Sequence, residues 1–216
     1  MASTPSAFNQ DPALFIEKHI KSFVRDNPEN RLTHIDGSPI WDEPLVGFAR
    51  GDDPLFQEYK TVIGDFHLTP REVMEKTLGE RPGSPKPGDS LSVICWVLPS
   101  TDKTRRSNRK QNKGPSREWT HTYKHGEVFN SMVRAEVVRL LQELGYPAVA
   151  PFAADFFQRL YLANGPASNW SERHACYAAG LGTFSLTDAF ITPRGMAMRC
   201  GSVVTTLGLP PTTRQY

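Results

Sequence analysis

The chain has 216 residues, 38% apolar and 22% charged, with a formal net charge of +2. That balance buries a real core and points to one globular domain with peripheral segments. No apolar run approaches the roughly 20 residues of a membrane span, and Met1-Ala2-Ser3-Thr4-Pro5 lacks the basic and hydrophobic regions of a signal peptide, so it is expected to be a flexible tip.

In chain order, Asp11 and Pro12 open a helix as N-cap and first residue, with Ile16, Ile20, Phe23 and Val24 as its apolar stripe. Residues 26–68 turn irregular. Pro28, Pro39, Pro44 and Pro54 with Gly37, Gly47 and Gly51 break any long element and leave Trp41, Phe48 and Phe56 to dock an extended arm, which is also a candidate homodimer contact. Thr69-Pro70-Arg71-Glu72 starts a second helix by a capping box that ends near Gly79, and the Pro- and Gly-rich stretch 81–88 reads as a loop. Residues 91–98 form an apolar run expected to be a buried central strand, with Cys95 as a small core residue. The chain thus divides into a helix and arm over 1–68 and a core over 69–216.

Charge is concentrated. Of 25 Lys and Arg, seven fall in 103–117 (Lys103, Arg105, Arg106, Arg109, Lys110, Lys113 and Arg117) with no acid among them, so the rest of the chain is mildly acidic. This stretch reads as a basic loop, either simply solvated or docking a polyanion. His121 and His125 follow at i, i+4 spacing, but helicity there is uncertain and no H-E-x-x-H pattern exists, so no metal is expected. Residues 127–144 are the clearest helix. Phe129, Met132, Val133, Val137, Leu140, Leu141 and Leu144 share one face, and Gly145 and Pro147 end it. No internal repeat is present.

The most informative stretch is 168–209. Asn169 and Glu172 stand at capping-box spacing, and the helix they open is rich in small residues through Ala179. Gly180 falls where a helix end needs positive φ, Leu181 where an apolar residue folds back, and Gly182 frees the backbone again. The same pattern serves an ordinary helix stop or the close approach of a flat ligand. A strand over 189–192, a turn at Pro193-Arg194-Gly195 and a second strand over 202–207 follow. The cysteines, Cys95, Cys176 and Cys200, are odd in number and widely separated, which argues for a reducing compartment, the cytoplasm by default. Cys176 and Cys200 could meet in space.

This helix, glycine turn, strand, turn and Gly201-Ser202 strand resembles the core motif of the epoxyqueuosine reductase and reductive dehalogenase superfamily. Trp119, Gly126-Glu127 and the run Gly145-Tyr146-Pro147-Ala148-Val149-Ala150-Pro151 also match. The likeness covers about residues 90–210. It implies an α+β, nitroreductase-like corrinoid-binding domain, with a mixed sheet flanked by helices. Cobalamin is the implied cofactor, and Gly180, Leu181, Gly182, Gly201 and Ser202 are its implied bed. Glycines there permit close approach, and exposed N–H groups suit an amide-fringed ligand.

Two departures bear on activity. Pro166 stands where the family's proton-donating aspartate is expected; Glu172 matches the glutamate of that run, and Asp155 is the nearest upstream carboxylate. The candidate proton donors are therefore Glu172, His174 and Tyr177. The family's ferredoxin-like cluster module would begin about where residue 216 stands, and three scattered cysteines cannot hold a four-iron cluster, which needs four thiolates. The resemblance then implies a reductase domain drawing electrons from a ferredoxin-like partner, with tRNA contact through Lys103, Arg105, Arg106, Arg109 and Lys110. The alternative is a non-catalytic cobalamin-binding or protein-binding remnant.

Overall fold

The computed structural model describes residues 6–79, 86, 88–163 and 165–215. The expected N-terminal tip, residues 1–5, and most of the 81–88 loop lie outside these. In chain order the elements are α1 (Ser6–Gln10), α2 (Pro12–Asp26), β1 (Leu45–Arg50), α3 (Pro54–Val62), α4 (Pro70–Leu78), β2 (Ser92–Pro99), α5 (Asp102–Arg109), α6 (Arg117–Glu143), β3 (Ala148–Val149), a 3-10 turn (Pro151–Ala153), β4 (Arg159–Leu162), β5 (Gly165–Ser168), α7 (Glu172–Ala178), β6 (Thr183–Phe184), β7 (Phe190–Ile191) and β8 (Met198–Thr205).

Four strands form the central sheet in the order β1-β2-β8-β3. Every pairing in it is antiparallel, which corrects the expected mixed sheet while leaving the α+β class in place. The physical reason lies in the long return from β2 through α5, α6 and α7, which brings β8 back against β2 in the opposite direction, with Cys95 facing Ser202 and Trp96 facing Gly201. All eight residues of β2 are buried, as its unbroken apolar run requires of a strand covered on both faces.

Side-chain alternation along β2 sorts the core into two halves. Ile94, Trp96 and Leu98 meet Ile16, Ile20 and Val24 of α2 and Phe129, Val133, Val137 and Leu141 of α6. On the other face Val93, Cys95 and Val97 meet Phe56 and Tyr59 of α3, Val73 and Met74 of α4, and the small residues of α7. Each such fully buried apolar side chain contributes roughly 1.5–3 kcal/mol. The sheet is therefore a middle layer, with α2 and α6 on one side and α3, α4 and α7 on the other.

The arm is more ordered than its prolines imply. Residues 45–50 pair along β2 as an edge strand, and 54–62 form α3 with Pro54 as its first residue behind the Asp53 cap. Trp41, Phe48 and Phe56 are buried within the chain itself, so these anchors dock the arm intramolecularly. The basic stretch is not one loop either. Thr101 accepts a hydrogen bond from the Thr104 amide and starts α5, and Ser116 accepts one from the Trp119 amide and starts α6 ten residues before Glu127. The Thr69 capping box forms as expected. The α7 cap is Ser171 in place of Asn169, whose amide instead donates to Phe156 O at 2.8 Å while its oxygen accepts from the Gln158 amide.

Candidate functional site

The end of α7 behaves as the glycines imply. Gly180 has φ +71°, its amide donates to Tyr177 O at 2.9 Å, and the Leu181 amide folds back to Cys176 O at 3.0 Å, the paired bonds of a Schellman stop. Around it, however, the five residues nominated as a cofactor bed are filled by the chain's own atoms. A Cβ on Gly201 would overlap the Trp96 ring, one on Gly182 would overlap the Ile191 carbonyl and the Phe190 ring, and one on Gly180 would lie 3.1 Å from Thr213 O. Leu181 is buried in the half of the core formed with α3, α4 and α7, and the fully buried Ser202 accepts a hydrogen bond from Trp170 Nε1 at 2.9 Å. Leu181, Gly182, Gly201 and Ser202 are buried and only Gly180 of the five is partly exposed, so together they do not form an open bed on which a flat tetrapyrrole fits.

Open space lies beside them. The antiparallel β4–β5 hairpin stands as a flap over a cavity of about 740 Å³, bounded by the first turn of α7, the start of β8 and the 3-10 turn. None of the five bed residues lines it; Glu172 and His174 do, as do Cys200 and Pro166, the residue standing where an aspartate was expected. Asp155 and Tyr177 are not on its wall.

One ionic network fixes the wall. Arg134 of α6 is 1% exposed and donates from Nε and Nη2 to the two Glu172 oxygens at 2.9 and 2.6 Å, and from Nη1 to Glu127 at 2.7 Å. Glu172 Oε1 also accepts the Ser202 amide at 3.1 Å, tying α7 to β8. Glu127 reaches Arg199 at 3.6 Å, and the Arg134 guanidinium lies 4.4 Å from the centre of the Phe152 ring. Burial works against the Arg134 charge, but Glu172 and Glu127 outweigh it and hold the guanidinium cationic. Burial likewise pushes the Glu172 carboxyl above its ordinary range, against the pull of Arg134. With both oxygens accepting from fixed donors, Glu172 serves as a wall acceptor and has no proton placed to give.

His174 is equally restrained. Burial, helped by Arg173, depresses its imidazole to about 4, so the ring is neutral near pH 7 and carries no acidic imidazolium there. Its Nδ1 lies 2.8 Å from Ser171 Oγ, its backbone carbonyl accepts from the Tyr59 hydroxyl at 2.9 Å, and its ring packs on Tyr59 and Phe184. Tyr177 points its ring toward Phe184. The structure thus brings two of the three proposed proton donors to one cavity and leaves the third off its wall.

The cysteines do converge: all three are buried and unbridged, and Cys176 lies in contact with Cys95 and Cys200. Burial raises the Cys176 thiol well above its usual value, and for Cys200 the Cys176 contact and then burial do the same, the signature of inert packing thiols. The sequence did not single out Arg134, although a usable signal exists. Glu127, Asn130 and Arg134 fall at i, i+3 and i+7 beside the apolar face of α6, and a polar stripe in that place needs partners. Asn130 takes its share by accepting from Trp96 Nε1 at 2.9 Å and donating to Cys200 O at 2.8 Å. The β4–β5 flap was missed too, although the sequence carries the apolar run Leu160-Tyr161-Leu162 followed by Asn164-Gly165, a hairpin-turn dipeptide.

Of the proposed polyanion contacts, Lys103 pairs with Asp36, and Arg105 and Arg106 both pair with Asp102. Arg109 and Lys110 are exposed and have no ion pair among the described residues.

No family model matches the chain, and no curated protein matches it. It is similar to solved structures of epoxyqueuosine reductase. The Bacillus subtilis enzyme shares 14% identity at a TM-score of 0.42, and the Streptococcus thermophilus enzyme 12% at 0.44. An epoxyqueuosine reductase solved with an epoxyqueuosine-modified tRNA-Tyr stem loop shares 12% at 0.46. Each comparison covers 94% of this chain and 48% of the other, so the chain spans about half the length of the structures it matches. No helix among the described residues is long and apolar enough to cross a membrane.

Proposed function

We propose that this chain is a small-molecule-binding module that carries out no reduction by itself. The observation that supports this is the state of the cavity wall, where Glu172 accepts three hydrogen bonds and His174 is held neutral. A reductive step at this wall needs a proton from a positioned acid; neither residue is placed to supply one, and the other two carboxylates on the wall are held in ion pairs, Glu127 with Arg134 and Asp188 with Arg173. What remains is a walled space of about 740 Å³ with a fixed ion pair and several aromatic rings, the mixture of apolar lining and few oriented polar groups that small-molecule sites use.

Cobalamin, nominated by the sequence resemblance, is the first ligand to offer. With the nominated bed closed, its place would be against the cavity wall, with electrons for any chemistry supplied by a separate ferredoxin-like partner. The test is titration with hydroxocobalamin and cob(II)alamin, read by visible absorption and electron paramagnetic resonance. The expected outcome is saturable binding that is abolished by Ala167→Trp, which fills the cavity from β5. Absence of any spectral change removes the corrinoid. Saturable binding that Ala167→Trp leaves intact removes the cavity as its site.

A second interaction is favoured by Arg109 and Lys110, which no acid neutralises and which Lys113 and Arg117 follow. We infer a contact with a tRNA backbone through this segment. Four phosphate contacts give a slope of log K against log salt of about −3 to −4, and Arg109→Ala should reduce that slope by about one. Anisotropy titrations of a tRNA stem loop over a range of KCl measure it, and salt-independent affinity or none excludes the contact.

A further inference from the structure

We propose that the cavity under the β4–β5 flap selects an aromatic carboxylate, with the anion received by Arg159 and the flat body laid among Phe152, Tyr161 and Leu162. This rests on the reading of the cavity as a small-molecule site and names the class of molecule it takes. Charge on the wall is unevenly matched. Three carboxylates line it, Glu127, Glu172 and Asp188, against three guanidinium groups, Arg159, Arg173 and Arg199. Arg134 adds a fourth cation directly behind Glu172. Arg134 holds Glu172 and Glu127, Arg173 holds Asp188 at 3.2 Å, and Arg199 lies 3.6 Å from Glu127. Arg159 has no carboxylate partner among the described residues, so the surplus positive charge sits on the flap.

The mouth is also apolar in an unusual degree. Val62, Tyr161 and Leu162 are 64%, 87% and 39% exposed, and all three line this one cavity. Large apolar side chains scattered singly need no explanation, whereas a group of them around a concavity marks a binding surface. Behind them the Phe152 and Phe157 ring centres stand 4.8 Å apart, and the Arg159 guanidinium lies 5.6 Å from the centre of the Phe152 ring. An unpaired cation and an aromatic face are therefore within reach of one small ligand. The planar guanidinium matches a carboxylate with two parallel hydrogen bonds. A cationic ligand would meet like charge here, and a neutral one would cover Arg159 without pairing it.

The test titrates the full-length chain with naphthoate and with naphthamide, its neutral counterpart of similar shape, by calorimetry and by the fluorescence of each probe. Naphthoate should bind at one equivalent and at least about tenfold more tightly than naphthamide, the low end of what a hydrogen bond to a charged partner is worth. Raising KCl should weaken naphthoate alone. Arg159→Gln should bring naphthoate down to the affinity of naphthamide; the residue is exposed on the flap, and circular dichroism verifies that the variant folds. Arg25→Gln, removing an exposed arginine of α2 that pairs with Asp26, should change neither affinity. Equal affinities for the two probes, or a naphthoate affinity that Arg159→Gln leaves intact, overturn the anion assignment, and loss of that binding in Ala167→Trp then shows that the cavity still holds small molecules. If neither probe binds, the proposal fails, and the hydroxocobalamin titration separately decides whether the reading of the cavity fails with it.

Discussion

At the scale of single residues, the glycines of the 180–201 region show how one pattern serves two purposes. Gly201 was nominated because it permits close approach of a ligand, and it does permit close approach, but by the Trp96 indole on the neighbouring strand. Gly201→Ala should therefore destabilise the fold by about 1–3 kcal/mol, the usual cost of overpacking, as measured by urea denaturation. An unchanged midpoint would mean that the glycine is held for something other than Trp96. Arg134 gives the opposite lesson, a long charged side chain that behaves as core. Arg134→Met strands the Glu172 carboxylate in a buried wall, and breaking a buried pair in this way costs about 3–5 kcal/mol. Adding Glu172→Leu should recover much of that loss, because the unpaired charge is then gone. If the double variant is no more stable than the single one, the Ser202 amide that Glu172 also satisfies outweighs the ion pair.

At the scale of elements, helix boundaries were legible wherever a capping residue and a clear apolar stripe coincided. Asp11 with Pro12 and Thr69 with Glu72 opened α2 and α4 as the sequence implies. The start of α6 was missed because its first ten residues, 117–126, carry few apolar side chains, and what makes them helical is Ser116 and the packing of Gly126 on Trp41, neither visible in periodicity. Strand β1 was missed for a similar reason, since Pro44 and Gly47 interrupt the local pattern and its pairing partner lies 40 residues or more away. Ser116 sits at the junction of two elements, because its hydroxyl caps α6 and also lies 2.8 Å from Ser107 Oγ of α5. Ser116→Ala should cost about 1–2 kcal/mol and loosen α5 with the first turns of α6. Amide hydrogen exchange should show faster exchange confined to 102–126; uniform protection across that span would show that tertiary packing alone holds the junction.

At the scale of the whole molecule, half of the candidate site was legible. Glu172 and His174 announced themselves as polar residues on a small-residue helix, whereas Glu127, Phe152 and the flap reach the cavity, and Arg134 its buried place behind Glu172, only through the tertiary return of α6 and β8. That return also buries a second histidine, which ties the stability of the entire fold to pH. His67 is 1% exposed, its Nε2 accepts from the Ser171 amide at 3.1 Å, and its ring stacks on Trp170. Burial, with His174 and Lys60 nearby, lowers its pKa to about 4, and burial does the same for His174. In the unfolded chain both titrate near 6.5. A folded pKa below the unfolded one means that the unfolded chain takes up protons first, so the stability present above pH 6.5 falls as pH drops toward 4. Each imidazole accounts for roughly 3 kcal/mol over that window, against a total of about 5–15 kcal/mol for a typical domain. Urea midpoints should thus decline steadily between pH 6.5 and 4, before the depressed carboxylates such as Glu72 and Glu136 begin to protonate. His67→Gln should start from lower stability but show a shallower decline, because one of the two protons no longer distinguishes the folded from the unfolded chain. An unaltered slope in that variant would place the acid sensitivity elsewhere and sink the assignment.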